Sequence, residues 1–377
     1  MAGGERGNLF LRIMDRALGI PLVRVLGLFR KKGAPPQTLH SVGVLCLGCI
    51  GDMVLLSGPL ADLAREHPGA RLTIFCSRAN QEAAQMAAGD ALVVALPVKN
   101  PLKAAALVRQ HGPFDVLLDA SQWPRLGALL SVAARARFKI GFKSPDQHRH
   151  HAYDAAVAHS RGCHELENFR RLFTPLGITG QAIPRLAPLP GAEASLPGGH
   201  VPQRPYAVLH LFPGGYRSQM KEWPLEHWRS LVQKLLERGL PVLLSGGPAD
   251  REPTDAFVRS IGSADVANLS GCSLNSVAVA LQHAAVAISV NTGIMHLAAA
   301  LGTPLVSLQG PTSTARWGAV APPERHVALH STLPCAPCLH LGFEYSCEDS
   351  ACMRGIPVAA VLKAVESLLD RAAPEVP

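Results

Sequence analysis

The sequence predicts an α/β protein built of two doubly wound units facing a cleft. Three observations carry this. Short, continuous apolar runs alternate with amphipathic stretches, the pattern of parallel strands covered on both faces by helices. The alternation occurs twice, on either side of a Pro- and Gly-rich segment. The 377 residues suit two domains of ordinary size.

Composition narrows the class. Hydrophobic residues make up 48% and charged residues 17%, a globular and not a disordered balance. The net charge of +8 favours anionic partners such as nucleotide phosphates or anionic lipids. With only 5% aromatics and scattered basic residues, the chain does not read as a nucleic-acid binder. The N-terminus lacks an apolar core followed by a small-residue cleavage site. The nine cysteines, Cys46 and Cys76 among them in apolar strands, are then expected as free thiols in the cytoplasm.

Residues 1–38 form a basic amphipathic extension. Leu9, Ile13, Leu18, Leu22, Val25 and Leu28 fit an apolar helical face broken at Gly19-Ile20-Pro21. Arg12, Arg16, Arg24, Arg30, Lys31 and Lys32 supply positive charge. The segment reads either as an anchor on the anionic inner face of the plasma membrane or as a helix packed on its own domain.

Residues 39–185 make the first unit. Strands are expected at 41–47, 71–76, 91–97, 115–120 and 139–142, and helices at 59–68, 80–88, 101–112, 125–136 and 164–177. Residues 186–204 read as a linker, and 205–377 as the second unit. There, strands are expected at 206–213, 241–247, 266–270, 285–290, 304–310 and 326–331. Helices are expected at 224–239, 251–262, 273–284 and 294–302, with a last one over Pro357–Arg371 packing on either unit. From Val266 to Ala315 there is no Asp, Glu, Lys or Arg. Turns at Asn291-Thr292-Gly293 and Gly302-Thr303-Pro304 cut this stretch into pieces too short to cross a bilayer, which needs about 20 apolar residues.

Ligands of doubly wound sheets bind outside the carboxyl ends of the strands, so those turns hold the candidate residues. In "LGCIGDM", Gly48 and Gly51 allow close backbone approach. Asp52 is either a general base for a hydroxyl or a helix cap, and the helix is expected to begin near Met53. In "FPGGYRSQMKEWP", Gly214, Arg217 and Lys221 suit a phosphate group, or are solvated surface charge. Gly246 and Gly247 follow the next strand and suit a ribose or base edge, or an ordinary turn. At Asn291-Thr292-Gly293 the helix start offers backbone N–H groups to an anion, and Thr292 a hydroxyl. His296 lies in the first turn, aimed at the same place or buried against backbone. Cys335, Cys338, Cys347 and Cys352 read as free thiols, a redox pair or a zinc site. The histidines at 148, 150, 151, 159 and 164 are a local excess, either solvated or touching a polar acceptor.

Together these motifs resemble the ADP-heptose:lipopolysaccharide heptosyltransferases, glycosyltransferase family nine. The resemblance rests on "GDMVLLSGPLADLAREHPGARLTIF", "KEWPLEHWRSLVQKL", "VLLSGGPADRE" and the stretch from Asn268 to Thr312, and extends to "CAPCLHLGFEYSCEDSACM". It implies a GT-B fold of two Rossmann-like domains, with the acceptor on the first and the nucleotide sugar on the second. It implies inverting transfer with no metal and no cofactor. Asp52 would be the base, with Gly48 and Gly51 on the acceptor side. Lys221, Arg217, Gly214, Gly246, Gly247, Thr292, Gly293 and His296 would hold the donor, ADP-heptose or another NDP-sugar. The acceptor would be a lipid-linked or other glycan. The family carries Asp where this chain has Asn291, which points to a changed contact with the donor sugar. Alternatives are another GT-B enzyme, an epimerase or a transferase of a different sugar, and a non-catalytic membrane-associated binding protein.

Overall fold

The computed structural model describes residues 9–30, 32–122, 125–196, 202–215, 217–339 and 347–372, without the side chains of residues 9–12, 194, 195 and 372. The expectations for Leu9, Arg12 and Lys31, part of the 186–204 segment and the middle of the Cys-rich stretch lie outside what is described.

The described chain forms two compact units, Asn8–Arg185 and Leu186–Pro377. The first runs α1 (Leu9–Ala17), α2 (Gly19–Leu28), β1 (Ser41–Cys46), α3 (Ile50–Glu66), β2 (Arg71–Cys76), α4 (Gln81–Ala87), β3 (Leu92–Ala95), α5 (Pro101–His111), β4 (Phe114–Asp119), α6 (Arg125–Ala133), β5 (Ala136–Lys143), β6 (Ala155–Ala158) and α7 (Glu165–Phe173). Its six strands are all parallel, in the order β3-β2-β1-β4-β5-β6. Val42 of β1 lies between Leu72 of β2 and Val116 of β4.

The second unit runs β7 (Ala207–His210), α8 (Leu225–Glu237), β8 (Val242–Ser245), α9 (Arg251–Ile261), β9 (Val266–Asn268), α10 (Leu274–Gln282), β10 (Val286–Val290), α11 (Gly293–Ala300), β11 (Leu305–Gln309), α12 (Thr314–Trp317), β12 (His326–His330), α13 (Ala351–Arg354) and α14 (Val358–Ala372). Its sheet, β12-β11-β10-β7-β8-β9, repeats the strand order of the first, again all parallel. Helix α14 packs on α8 and on β10 to β12, within its own unit. Residues of β7, β8, β10 and β11 join Trp223, Trp228 and Val361 in one core. The continuous apolar runs are strands buried along their whole length, as in β10 and β11, which is why they do not alternate.

Several elements differ from expectation. Strand β6 is an Ala-rich run with a single β-branched residue, too weak a signal to read. Helix α3 begins at Ile50, so Gly51 and Asp52 sit in its first turn and not in the preceding loop. Gly19-Ile20-Pro21 opens α2 and does not separate the helices. Pro21 lies in the first turn, where its missing N–H leaves no bond unmade. Residues 186–192 are tied to the second unit. Leu186 N–H donates to Ala300 C=O at 3.1 Å, and Leu189 N–H to Asn275 Oδ1 at 2.8 Å. Ser276 Oγ donates to Ala192 C=O at 3.0 Å.

The α1–α2 pair docks on the first unit through a stripe four residues apart. Val23 is buried against Ala128, Ala152 and Tyr153. Gly19 and Gly27 let the helix approach closely: a Cβ would stand 2.9 Å from Arg125 Cβ at the first and 2.6 Å from His151 C=O at the second. Ion pairs fix both ends, Arg125 with Asp15 at 2.6 Å and Arg30 with Asp154 at 2.5 Å. Among the described residues no helix is long and apolar enough to cross a membrane.

Candidate functional site

In each sheet the strand order reverses once, between β1 and β4 and between β7 and β10. The carboxyl ends of those strands open a crevice in doubly wound folds. Most of the residues singled out in the sequence fall at these two places.

At the first, the chain leaves β1 at Cys46 and enters α3 at Ile50. Asp52, 5% exposed, turns its carboxylate back onto the turn. Oδ2 accepts the Cys49 N–H at 2.9 Å, and Oδ1 accepts Gln122 Nε2 at 3.3 Å. The capping contact is therefore real, but it is made from the helix interior while Cys49 holds the cap position. A carboxylate offers about four lone-pair sites in all, the acceptor chemistry that a hydroxyl proton needs. Its charge adds to burial in pushing the Cys46 thiol well up. Gly48 serves this arrangement directly, since a Cβ there would lie 2.1 Å from Asp52 Oδ2.

Gln122 gave no signal in the sequence. It follows β4, whose last residue, Asp119, anchors the turn. Asp119 Oδ1 accepts the Ser121 N–H at 3.0 Å, and Ser121 Oγ accepts the Leu47 N–H at 3.3 Å. Asp119 Oδ2 accepts Arg149 Nη2 and the Tyr153 hydroxyl, each at 2.7 Å. Asp119 and Arg149 are both fully buried. The carboxylate and phenol hold the Arg149 guanidinium charged against its burial.

At the second place, β7 ends at His210 and β10 at Val290. His210 Nδ1 faces Ser245 C=O at 3.1 Å and the Ser245 hydroxyl at 3.0 Å. Burial chiefly pushes its pKa down to about 4, and the nearby Lys221 charge pushes the same way. Lys221 thus lies by the end of β7, its Nζ 3.4 Å from Gly214 C=O. Gly215 has φ 108°, a conformation that needs glycine, and a Cβ on Gly214 would meet only open space. Arg217 donates to Cys347 C=O at 2.9 Å. Gly246 and Gly247 follow β8. A Cβ on Gly246 would stand 2.5 Å from Ser270 Oγ, and Gly247 N–H donates to Asp250 Oδ2 at 2.7 Å. Asp250 and burial both raise the Glu222 carboxyl, burial the more.

Thr292 caps α11, its Oγ1 accepting the Ile294 N–H at 3.2 Å. His296 is buried within α11. Asn291 is turned inward: Nδ2 donates to Gln309 Oε1 at 2.9 Å and to Trp317 C=O at 3.2 Å. Because the Trp317 oxygen is a backbone carbonyl, the nearby atom must be the amide nitrogen.

Of the remaining candidates, Cys347 meets Arg217 through its backbone carbonyl. Cys335 is exposed, Cys338 and Cys347 are half-buried, and Cys352 is buried. Burial is the chief cause pushing the Cys352 thiol up to about 11. Among the described residues no three His, Cys, Asp or Glu side chains are placed to hold a metal. The histidine excess divides. His164 Nδ1 accepts the Leu166 N–H at 3.1 Å, and His159 pairs with Glu165 at 2.7 Å. The His150 and His151 rings lie 4.3 Å apart, tilted by 32°, with both pKa values lowered, chiefly by burial.

Residues 99–347 match Glycosyltransferase family 9 (heptosyltransferase). The chain is 35% identical over 188 residues to lipopolysaccharide heptosyltransferase 1 of Pseudomonas aeruginosa, covering 50% of each chain. It is 41% identical over 92 residues to lipopolysaccharide heptosyltransferase 1 of Escherichia coli K12, covering 24% of this chain and 28% of that one. These matches thus span about half or less of the curated relatives' length. The fold superposes on E. coli ADP-heptose lps heptosyltransferase II with TM-score 0.71 and 17% identity, over 88% of this chain and 99% of that one. It superposes on an E. coli heptosyltransferase with ADP with TM-score 0.69 and 20% identity, over 87% and 100%.

Proposed function

Because the chain belongs to glycosyltransferase family 9 (heptosyltransferase), we propose that it transfers heptose from ADP-heptose to a lipopolysaccharide-type acceptor. The observation that carries this reading is Asp52. It is a buried acid at the reversal point of the first sheet, oriented by Cys49 N–H and Gln122.

Asp52 takes the proton of an acceptor hydroxyl. The freed oxygen attacks the anomeric carbon of the sugar from the face opposite the diphosphate, the C–O bond to the diphosphate breaks, and the configuration inverts. ADP leaves with the electron pair. The second unit binds the donor. Lys221 and Arg217 neutralise phosphate charge, and the N–H groups at Gly293 with the α11 dipole meet the diphosphate. Gly214 and Gly215 let the backbone approach it, and Gly246 and Gly247 lie beside the ribose or base. These steps need no metal. The enzyme works in the cytoplasm at the inner face of the plasma membrane, where a nucleotide sugar meets a lipid-linked acceptor.

A thermal-shift series with ADP-heptose and with GDP-, UDP- and dTDP-sugars tests the donor. A ligand at a hundred times its Kd adds about 2.7 kcal/mol to folded-state stability. ADP-heptose is expected to raise the melting temperature most; a larger shift with another nucleotide sugar would remove it as donor.

A further inference from the structure

We infer that the α1–α2 pair is a docking surface for an anionic lipid bilayer, held rigidly on the proposed acceptor-binding unit. Small residues face inward along α2, at Gly19, Val23 and Gly27, and the large apolar ones face solvent. Leu22 is 48% exposed, Val25 51%, Leu26 42% and Phe29 83%. Their spacing of three, four and seven residues puts them on one face of a helix. Ile13 of α1 and Leu18, between the helices, are also more than half exposed. The face cannot be buried by rotating the pair, because the glycine contacts and the ion pairs Asp15–Arg125 and Arg30–Asp154 fix it.

Charge decides which occupant fits. Residues 9–32 contain six Arg or Lys and one acid, Asp15. Asp15 is neutralised by Arg125 and Arg30 by Asp154, while Arg16, Arg24 and Lys32 are exposed. A second copy of this face would bring the same positive charges into contact, whereas an anionic leaflet is complementary. Among the described residues neither helix is long enough to span: α1 has nine residues and α2 ten, about half of what a bilayer crossing needs. Short helices with an apolar face and flanking cations lie in the interface. The inference rests on the heptosyltransferase reading only for its use, which is to bring the unit that binds a lipid-linked acceptor to the surface carrying it.

The test is vesicle flotation of the full chain, which requires no transfer activity and so stands apart from a failure of the proposed reaction. Phosphatidylglycerol-rich vesicles are expected to carry the protein up at low salt, and pure phosphatidylcholine vesicles are not. Leu22→Glu with Leu26→Glu should weaken partitioning at least about tenfold. Arg16→Gln with Arg24→Gln should weaken it about fivefold for each charge removed. Leu102→Glu, at an 84% exposed leucine of α5, should change nothing. Arg16 and Arg24 are exposed, so that variant reads the surface even if the leucine pair unfolds the hairpin. Absence of flotation with anionic vesicles, or wild-type flotation of both double variants, overturns the inference. So does a dimer in sedimentation velocity that the leucine pair dissociates, with no vesicle binding.

Discussion

The side-chain amide of Asn291 donates to the backbone carbonyl of Trp317, tying the end of β10 to α12, and a second bond to Gln309 ties it to β11. A carboxylate could not make the bond to Trp317, whose carbonyl only accepts, and could meet Gln309 only after that amide turned its NH2 towards it. Asn291→Asp is therefore expected to cost about 1–3 kcal/mol, the cost of leaving buried partners unsatisfied. The urea midpoint of the second unit measures it. An unchanged midpoint with altered donor preference would place Asn291 in ligand binding instead.

Asp52→Asn keeps the shape of the side chain and removes its basicity. Turnover should fall by about 10²–10⁴-fold, the usual contribution of a general base. ADP release under saturating donor and acceptor reads this, and near-normal turnover with an intact fold rules out the base. Gln122→Ala removes a donor that orients the carboxylate. It should lower kcat about tenfold or less, with little change in donor KM.

The buried pair Asp119–Arg149 makes opposite demands on single and double variants. Arg149→Met alone strands a buried carboxylate and should cost about 3–5 kcal/mol. Adding Asp119→Asn should recover part of that loss in the same denaturation experiment. Additive losses would mean that the two groups do not depend on each other.

His210 gives the fold an acid limit. Its pKa is lowered from the ordinary 6.5 to about 4, so between those values the unfolded chain binds a proton that the folded chain refuses. Stability from this group is intact above pH 6.5 and is lost as pH falls towards 4, by about 3 kcal/mol in all. His210→Asn, followed by melting temperature against pH, should flatten that stretch of the curve. An unchanged slope would assign the acid sensitivity elsewhere.

The two-unit α/β architecture was legible because buried parallel strands write themselves as apolar runs and their turns as glycine. The Ala155–Ala158 strand was not, since its alanines carry no preference for extended backbone and only sheet pairing with β5 makes it one. Asp52 was legible as an acid in a strand-to-helix turn. Its partner Gln122, 70 residues away, was not, because only the strand order brings β1 and β4 together. Asn291 stood out by position, but the direction of its amide depends on Trp317 and Gln309, which no local pattern marks. At the amino terminus, the membrane reading and the packed-helix reading looked like alternatives. The helices pack on their own unit with one face and leave a large apolar face outward.

Gly48 has no side chain, yet the space a methyl group would occupy there already belongs to the Asp52 carboxylate. Alanine at this position would push the acid out of its orientation as surely as a change to the acid itself. A survey of this protein that scored only residues able to carry charge or donate a proton would pass over Gly48. Its contribution is a volume kept empty, and its tolerance to substitution should be as narrow as that of the acid it faces.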